Sequence, residues 1–158
     1  MADLDRIDLT LIELLQTDAR MSQAALAKQV GLAPSSVNER IRKLCENGII
    51  SGYHAHVSPD AMGYQLLAFL YVGWDDPAVE PRFLAAIAGE QSVIEAHHVT
   101  GAWNYMLKVR VKNTRALEGL LAQVIKSVAG VKRTETIIVL SSAKETSIVP
   151  TREPSWAR

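Results

Sequence analysis

The spacing of the apolar residues changes near residue 60 of this chain of 158 residues. Before that point, apolar side chains recur at the three- and four-residue intervals of an amphipathic helix, as at Ile7, Leu11 and Leu15. After it, apolar and polar residues alternate as they do in a strand, most clearly over Tyr105–Val111. The sequence therefore predicts an α+β protein in which a helical first part precedes a sheet.

The first part is predicted to hold three short helices. One follows Asp5, a second begins after Ser22 and stops at Gly31, and a third begins at Pro34. Three helices with a tight glycine turn before the last of them are typical of a helix-turn-helix. A small hairpin over Ile49–Val57 is expected to form its wing.

The third helix has the properties of a recognition helix. An apolar stripe of Val37, Ile41, Leu44 and Cys45 is expected to enter the core. The other side chains could reach base edges and phosphates of double-stranded DNA, and they are Ser35, Ser36, Asn38, Glu39, Arg40, Arg42 and Lys43. His54 and His56 would lie near the DNA backbone in the wing. A surface that only carries solvated charge has the same pattern, and residues 1–60 have a small acidic excess that counts against nucleic acid.

The second part is predicted to have the order βαββαβ of a ferredoxin-like fold. Its strands are Leu66–Trp74, Val93–Thr100, Tyr105–Val111 and Val131–Leu140, and its helices open at Pro77 and Asn113. Such a sheet has helices on one face only. Because no further layer remains in the sequence, a second subunit is expected to cover the other face.

The predicted divisions of the chain follow from these patterns: a DNA-binding domain over 1–58, a linker over 59–65, a sensing and oligomerisation domain over 66–148, and a tail over 149–158. The longest apolar run is too short for a membrane span, and the N-terminus does not have the pattern of a signal peptide. A single cysteine, Cys45, excludes an intramolecular disulfide. Together these three observations predict a cytoplasmic protein. No metal-ligand spacing and no cofactor motif is found, so we expect neither a metal nor a cofactor.

Several segments together resemble the Lrp/AsnC family of transcription regulators. They are LDRIDLTLIELLQTDAR, VGLAPSSVNERIRKL, VTGAWNYMLKV and RTETIIVLS, and the resemblance extends from Leu4 to about Thr146. It implies a winged helix-turn-helix followed by a RAM-type βαββαβ domain. It also implies homodimers formed through the C-terminal sheet, which assemble into octamers or other rings. Effectors of this family are small molecules, usually amino acids, held between C-terminal domains.

The resemblance also indicates which residues bind the effector. A glycine turn after the second strand and threonines of the last strand would form the site, which gives Thr100, Gly101, Ala102, Trp103, Asn104, Thr134 and Thr136. Family members carry Asp where this chain has Asn104. An amide supplies no charge to a ligand ammonium, so a free amino acid should be held less tightly here. Alternatively, Gly101 only shapes the turn and Trp103 only packs at a dimer seam.

Two other functions compete with a regulator. Some haem-pathway decarboxylases resemble this family in fold, and His97 or His98 with Arg110 could bind a tetrapyrrole carboxylate. A purely structural dimer is the other alternative. The sequence contains no evident nucleophile–base pair, so we expect no enzymatic activity. Neither alternative requires an exposed basic surface on the third helix. The presence of Arg40, Arg42 and Lys43 there therefore favours the regulator.

Overall fold

The computed structural model describes residues 4–153. Within this range the chain divides into two compact units. The first runs to His56 and includes the C-terminal segment from Glu145, and the second is Val57–Lys144. Residues 59–63, inside the predicted linker, form a turn. The predicted tail contributes residues 149–153 to the first unit, and the rest of it lies outside the described residues.

The first unit contains the three predicted helices. They are α1 (Arg6–Thr17), α2 (Gln23–Val30) and α3 (Pro34–Glu46). Asp5 caps α1 by accepting a hydrogen bond from the backbone N–H of Asp8 at 2.9 Å, and the side chain of Asp8 accepts one from the N–H of Asp5. Gly31 ends α2 in the left-handed conformation, with φ of 70°, which glycine adopts without the steric cost of a side chain.

The core of this unit lies where the three helices meet. Leu11, Leu26 and Val37 are each at most 1% exposed, one from each helix. Leu44 of α3 is also buried, and Ile41 is partly buried. Cys45, which the apolar stripe placed in the core, is exposed instead. It follows Leu44 directly, so the helix turns its side chain by about 100° away from the buried direction.

The expected hairpin over 49–57 is not formed in this structure. Residues 51–57 are exposed and contain neither helix nor strand. An isolated two-stranded hairpin is only marginally stable in water, and Tyr53 and Val57 remain half exposed or more. The alternation in this segment therefore has no apolar surface to pack against within the described chain.

The C-terminal segment packs on α1 within the first unit. The side-chain amide of Gln16 donates to the backbone oxygen of Val149 at 3.0 Å and accepts from its N–H at 2.7 Å. Arg152 pairs with Glu13 at 3.0 Å. These contacts explain why the segment from Glu145 belongs to the helical unit.

The second unit is a four-stranded antiparallel sheet with helices. Its strands are β1 (Leu66–Gly73), β2 (Val93–His98), β3 (Tyr105–Val111) and β4 (Arg133–Ile138), in the spatial order β2-β3-β1-β4. This confirms the predicted ferredoxin-like order. The helices are α4 (Glu80–Ile87), which follows a 3-10 turn at Pro77–Val79, and α5 (Thr114–Leu120), which continues as a π-helical turn over Leu121–Ile125.

The two faces of the sheet differ in burial. Alternate residues of β1 and β3, such as Leu70, Val72 and Leu107, are fully buried beneath the helices. The ring of Trp74 lies 5.0 Å from that of Phe83 on the same side. Leu84 of α4 points away from this core and is 40% exposed. The described helices of this unit lie on the core side of the sheet, and the opposite face is where Phe69 pairs with Ile137.

Candidate nucleic-acid interface and effector site

The polar residues of α3 lie on its exposed side. Six of the seven predicted contact residues are exposed, and Arg40 is half-buried. Val37 and Leu44 anchor the opposite side in the core. The helix therefore presents a continuous polar surface, beginning just after the glycine turn that ends α2.

Arg40 differs from the others because it binds α1. Its guanidinium donates to Asp5 at 2.7 Å and to Asp8 at 2.8 Å. The backbone N–H of Asp8, and then the Arg40 guanidinium, lower the pKa of Asp5 below its ordinary value. The same two acids cap α1, so Arg40 joins the start of α1 to the middle of α3. This side chain is part of the fold of the unit and is not free to leave it without breaking two charge-assisted hydrogen bonds.

Arg42 and Lys43 also have acidic neighbours, but on α3 itself. Arg42 binds Glu39 at 2.7 Å and also pairs with Glu46 one turn on. Lys43 lies 3.7 Å from Glu39. The Arg42 guanidinium lowers the pKa of Glu39, which keeps that carboxylate charged. All these groups are about half exposed or more, so water and salt screen the pairs and a phosphate can compete for the cations.

Asn38 is held by a residue that the sequence did not single out. Gln23 of α2 donates its side-chain amide to Oδ1 of Asn38 at 2.8 Å. The amide group of Asn38 remains on the exposed surface. Gln23 is the first residue of α2, and nothing in the helical periodicity indicates that it reaches across to α3.

The predicted effector turn is tied to the end of β1. The N–H of Val99 donates to the carbonyl of Asn104 at 3.0 Å, and the N–H of Asn104 donates to Val72 at 3.0 Å. Oδ1 of Asn104 accepts from the N–H of Trp74 at 2.8 Å. Gly101 has φ of 105°, which side chains rarely tolerate. Asn104 thus fixes the turn and is not a free acceptor for a ligand.

The structure does not bring all the predicted effector residues to one face of the sheet. Thr134 pairs with Val72 and Thr136 with Leu70, and paired residues in a sheet share a face. The threonines therefore project on the helix-covered side. Trp103 contacts Tyr71 of the open face, with ring centroids 6.0 Å apart. Thr100, Gly101 and Ala102 are exposed.

Arg133 is the residue of this region that the sequence did not indicate. Its guanidinium lies over the Trp103 ring at 5.1 Å and donates to the carbonyl of Ala102. To do so, its side chain crosses Gly73 of β1, where an added Cβ would lie 2.6 Å from Nε of Arg133. A glycine at the end of an apolar strand is the only sequence signal for this crossing, and it is a weak one.

The adjacent histidines of β2 lie on opposite faces of the sheet, as neighbouring residues of a strand do. His97 pairs with Met106 of the open face and contacts Glu95 at 3.2 Å. His98 stacks on Tyr105 at 5.1 Å between ring centroids, and its side chain remains exposed. Among residues 4–153, no three His, Cys, Asp or Glu are placed to hold a metal ion. No helix within the same range is long and apolar enough to cross a membrane.

Each of the two parts of the chain matches a known protein family. Residues 68–149 match the Lrp/AsnC ligand binding domain, and residues 4–51 match a winged helix-turn-helix DNA-binding family. The chain is 37% identical over 151 residues to the HTH-type transcriptional regulator FL11 of Pyrococcus abyssi, covering 93% of this chain and 96% of that protein. It is 36% identical over 154 residues to the leucine-responsive regulatory protein of Salmonella typhimurium, covering 95% and 94%.

Solved structures agree with the sequence comparisons. AsnC of Escherichia coli superposes with a TM-score of 0.87 at 32% identity, covering 93% of this chain and 99% of that one. A transcriptional regulator of Neisseria meningitidis in complex with L-methionine gives a TM-score of 0.89 at 26% identity, covering 93% and 96%. The likeness thus includes both the helical unit and the sheet unit.

Proposed function

The chain belongs to the Lrp/AsnC family of transcription regulators, and from this premise we propose that α3 reads double-stranded DNA while the turn at 100–104 binds a small effector. The helix-turn-helix binds DNA, and the C-terminal domain is the ligand-binding domain of the family. The observation that carries the proposal is the exposed polar surface of α3, anchored from behind by Val37 and Leu44. A helix of this kind fits the width of the major groove.

The individual roles on α3 follow from its contacts. Residues near the N-terminus of a recognition helix reach base edges, which assigns base reading to Ser35, Ser36 and Asn38. Arg42 and Lys43 bind phosphates of the DNA backbone, which replace Glu39 as the partner of these cations. Arg40, which the sequence also placed at the DNA, holds α1 and α3 together and orients the surface.

The effector is proposed to bind at the turn of residues 100–104. Thr100, Gly101 and Ala102 are exposed, and nothing lies within 4 Å of the position that a Cβ added at Gly101 would take. The solved relative from Neisseria meningitidis binds L-methionine, so an amino acid or a related metabolite is the effector class with which to begin.

A second copy of the chain is proposed to cover the open face of the sheet. Phe69, Tyr71 and Ile137 lie there, and Ile137 is 47% exposed. Burying such a face between two subunits is favourable at about 25 cal/mol per Å² of apolar surface. Dimers of this kind would assemble further into octamers or another ring. Light scattering should give a molar mass of at least twice 17.3 kDa, and a stable monomer at micromolar concentration would refute this part.

Fluorescence anisotropy with DNA from upstream of the chain's own gene tests the DNA-binding proposal. The wild-type protein should bind this DNA more tightly than a shuffled duplex of equal composition, and the logarithm of its affinity should fall linearly with the logarithm of the salt concentration. We propose that the protein acts in the cytoplasm and has no catalytic activity of its own. Equal binding of both duplexes at moderate salt would contradict the proposed function.

A further inference from the structure

The residue with the most unused binding capacity beside the effector turn is Arg133. Of the hydrogen-bond donors in its planar guanidinium, one is occupied by the carbonyl of Ala102. None of the described carboxylates forms an ion pair with it, whereas Lys132, the preceding residue, pairs with Asp75 at 2.9 Å. A guanidinium in this situation can hold a carboxylate through two parallel hydrogen bonds.

The position of the guanidinium is fixed by its surroundings. Trp103 lies beneath it at 5.1 Å, and Tyr71 packs against Trp103. Gly73 leaves the space through which the side chain crosses β1. These contacts orient the cation beside the exposed backbone of Gly101 and Ala102, so a ligand can meet both the charge and the turn.

The same region offers little to an ammonium group. The segment from Val99 to Asn104 contains no acidic residue, and Oδ1 of Asn104 is bound by the N–H of Trp74. Asp75 is paired with Lys132, and Glu80 accepts the hydroxyl of Tyr105 at 2.7 Å. Lys132, and to a smaller extent Arg133, lower the pKa of Asp75, so this carboxylate also lies within electrostatic reach of Arg133. Glu135 alternates with Arg133 on the same face of β4, as the register shows, and it is a second acid to test.

We infer that Arg133 is the anion-binding residue of the effector site and that the site takes a carboxylate compound that needs no amino group, such as a 2-oxo acid or a 2-hydroxy acid. The inference rests on the proposed effector site at the turn. It specifies the charge of the ligand, which the family resemblance alone leaves as that of an amino acid.

Calorimetry on the full-length protein with matched ligands tests the inference. Each pair consists of an amino acid and its 2-oxo acid, for instance L-leucine with 4-methyl-2-oxopentanoate, and 3-methylbutylamine serves as the amine without the carboxylate. The 2-oxo acid should bind at least as tightly as the amino acid, and the amine should not bind. Arg133→Ala should weaken binding of the acid at least about tenfold, since two charge-assisted hydrogen bonds are lost.

Two further variants separate position from charge. Gly73→Ala keeps Arg133 but displaces its side chain, so the affinity should also fall. Arg82→Ala, which removes an exposed cation from α4, should leave the affinity unchanged. The inference is overturned if amino acids bind and their 2-oxo acids do not, if Glu135→Gln abolishes ligand binding while Arg133→Ala does not, or if no acid in the panel binds.

Failure of the inference can be told apart from failure of the proposed function. The same preparations are tested for binding to the promoter DNA described above. Arg133→Ala should retain this binding, because Arg133 lies in the second unit and not on α3. A protein that prefers its promoter but binds amino acids through another residue refutes only the role of Arg133.

Discussion

The two candidate sites both carry cationic side chains, but these differ in whether an acidic residue pairs with them. On α3, Arg40, Arg42 and Lys43 all have carboxylates within reach inside the first unit. At the turn of the second unit, Arg133 rests on an aromatic ring and a carbonyl. It forms no ion pair with a described carboxylate, and Asp75, which feels its charge, is paired with Lys132. The positive charge of α3 is therefore largely balanced before DNA arrives, whereas the charge at the turn is available to a ligand.

This contrast indicates where selectivity resides. On α3 a phosphate has to displace an internal acid, so the cations contribute affinity that depends strongly on salt. Sequence preference is then left to uncharged groups, chiefly Asn38 and the serines. At the turn the Arg133 guanidinium itself selects the ligand, because its remaining N–H donors bind a carboxylate and its charge repels an amine.

The largest effect is expected at Asn38. Asn38→Ala should lower the preference for promoter DNA over shuffled DNA by about 5- to 150-fold, since one base-edge contact is worth about 1–3 kcal/mol of discrimination. Gln23→Ala, which removes only the group that holds Asn38 at 2.8 Å, should have a smaller effect in the same direction. Competition binding with the two duplexes measures both. An unchanged preference in Asn38→Ala would place base reading elsewhere.

The second prediction concerns a negative charge added at the effector turn. Asn104→Asp keeps an acceptor for the N–H of Trp74 and adds a carboxylate oxygen that can bind an ammonium. Binding of some free amino acid should improve by about tenfold, or 1.4 kcal/mol, as measured by calorimetry across the twenty. The preference for 2-oxo acids should fall at the same time.

A control for the turn conformation uses two glycines. Gly101→Val should remove the gain made by Asn104→Asp, because φ of 105° is strained for a β-branched residue. Gly89→Val has open space around its Cβ and no positive φ, so it should leave ligand binding intact. If Asn104→Asp changes no amino-acid affinity, the turn only shapes a subunit contact.

The third prediction concerns the ion pairs on α3. Lys43→Ala should weaken DNA binding and reduce the slope of log affinity against log salt by about one. Arg42→Ala should weaken binding more, because it also leaves Glu39 and Glu46 unpaired near the DNA. Glu46→Gln should strengthen binding modestly. A stronger effect of Lys43→Ala than of Arg42→Ala would mean that the ion pairs do not balance the charge of α3.

The smallest effect is expected at Arg40, and it should be seen in stability. Arg40→Ala should lower the thermal midpoint by about 2–4 °C while its salt slope for DNA stays near that of the wild type. The backbone N–H of Asp8, and then Arg40, hold the pKa of Asp5 below its ordinary value of 3.8. These contacts therefore stabilise the fold above about pH 4, and this stabilisation is lost as the pH falls further. Melting curves between pH 6 and about pH 3 should therefore show a shallower dependence in Arg40→Ala. If Arg40→Ala reduces the slope of log affinity against log salt as much as Lys43→Ala does, Arg40 contacts a DNA phosphate after all.

The sequence predicted the elements better than the contacts between them. Helical spacing and caps such as Ser22 and Asn113 located the helices, and alternation located β3, because these signals are local. The pairing of Arg40 with the caps of α1 joins residues more than thirty positions apart. Periodicity shows that such a side chain is not in the core but cannot show which acid it reaches.

The effector region was predictable only in part, for a similar reason. The resemblance located the turn at Gly101, but the threonines and Trp103 project from different faces of the sheet. That separation depends on the register of β4 against β1, which a single sequence does not specify. Arg133 was missed because its partners Gly73 and Ala102 come from other strands and turns. Cys45 was placed in the core because one residue of helix rotation separates a buried position from an exposed one.

Selection of DNA is expected to reside on α3 and not at the turn beside Arg133. The most direct test is the ratio of affinities for promoter and shuffled DNA, measured by anisotropy at one salt concentration for the wild type, Asn38→Ala and Arg133→Ala. We expect a clear preference for promoter DNA in the wild type and in Arg133→Ala, and a much reduced preference in Asn38→Ala. Absence of a preference in the wild type would contradict DNA reading by α3, as would its loss in Arg133→Ala with retention in Asn38→Ala.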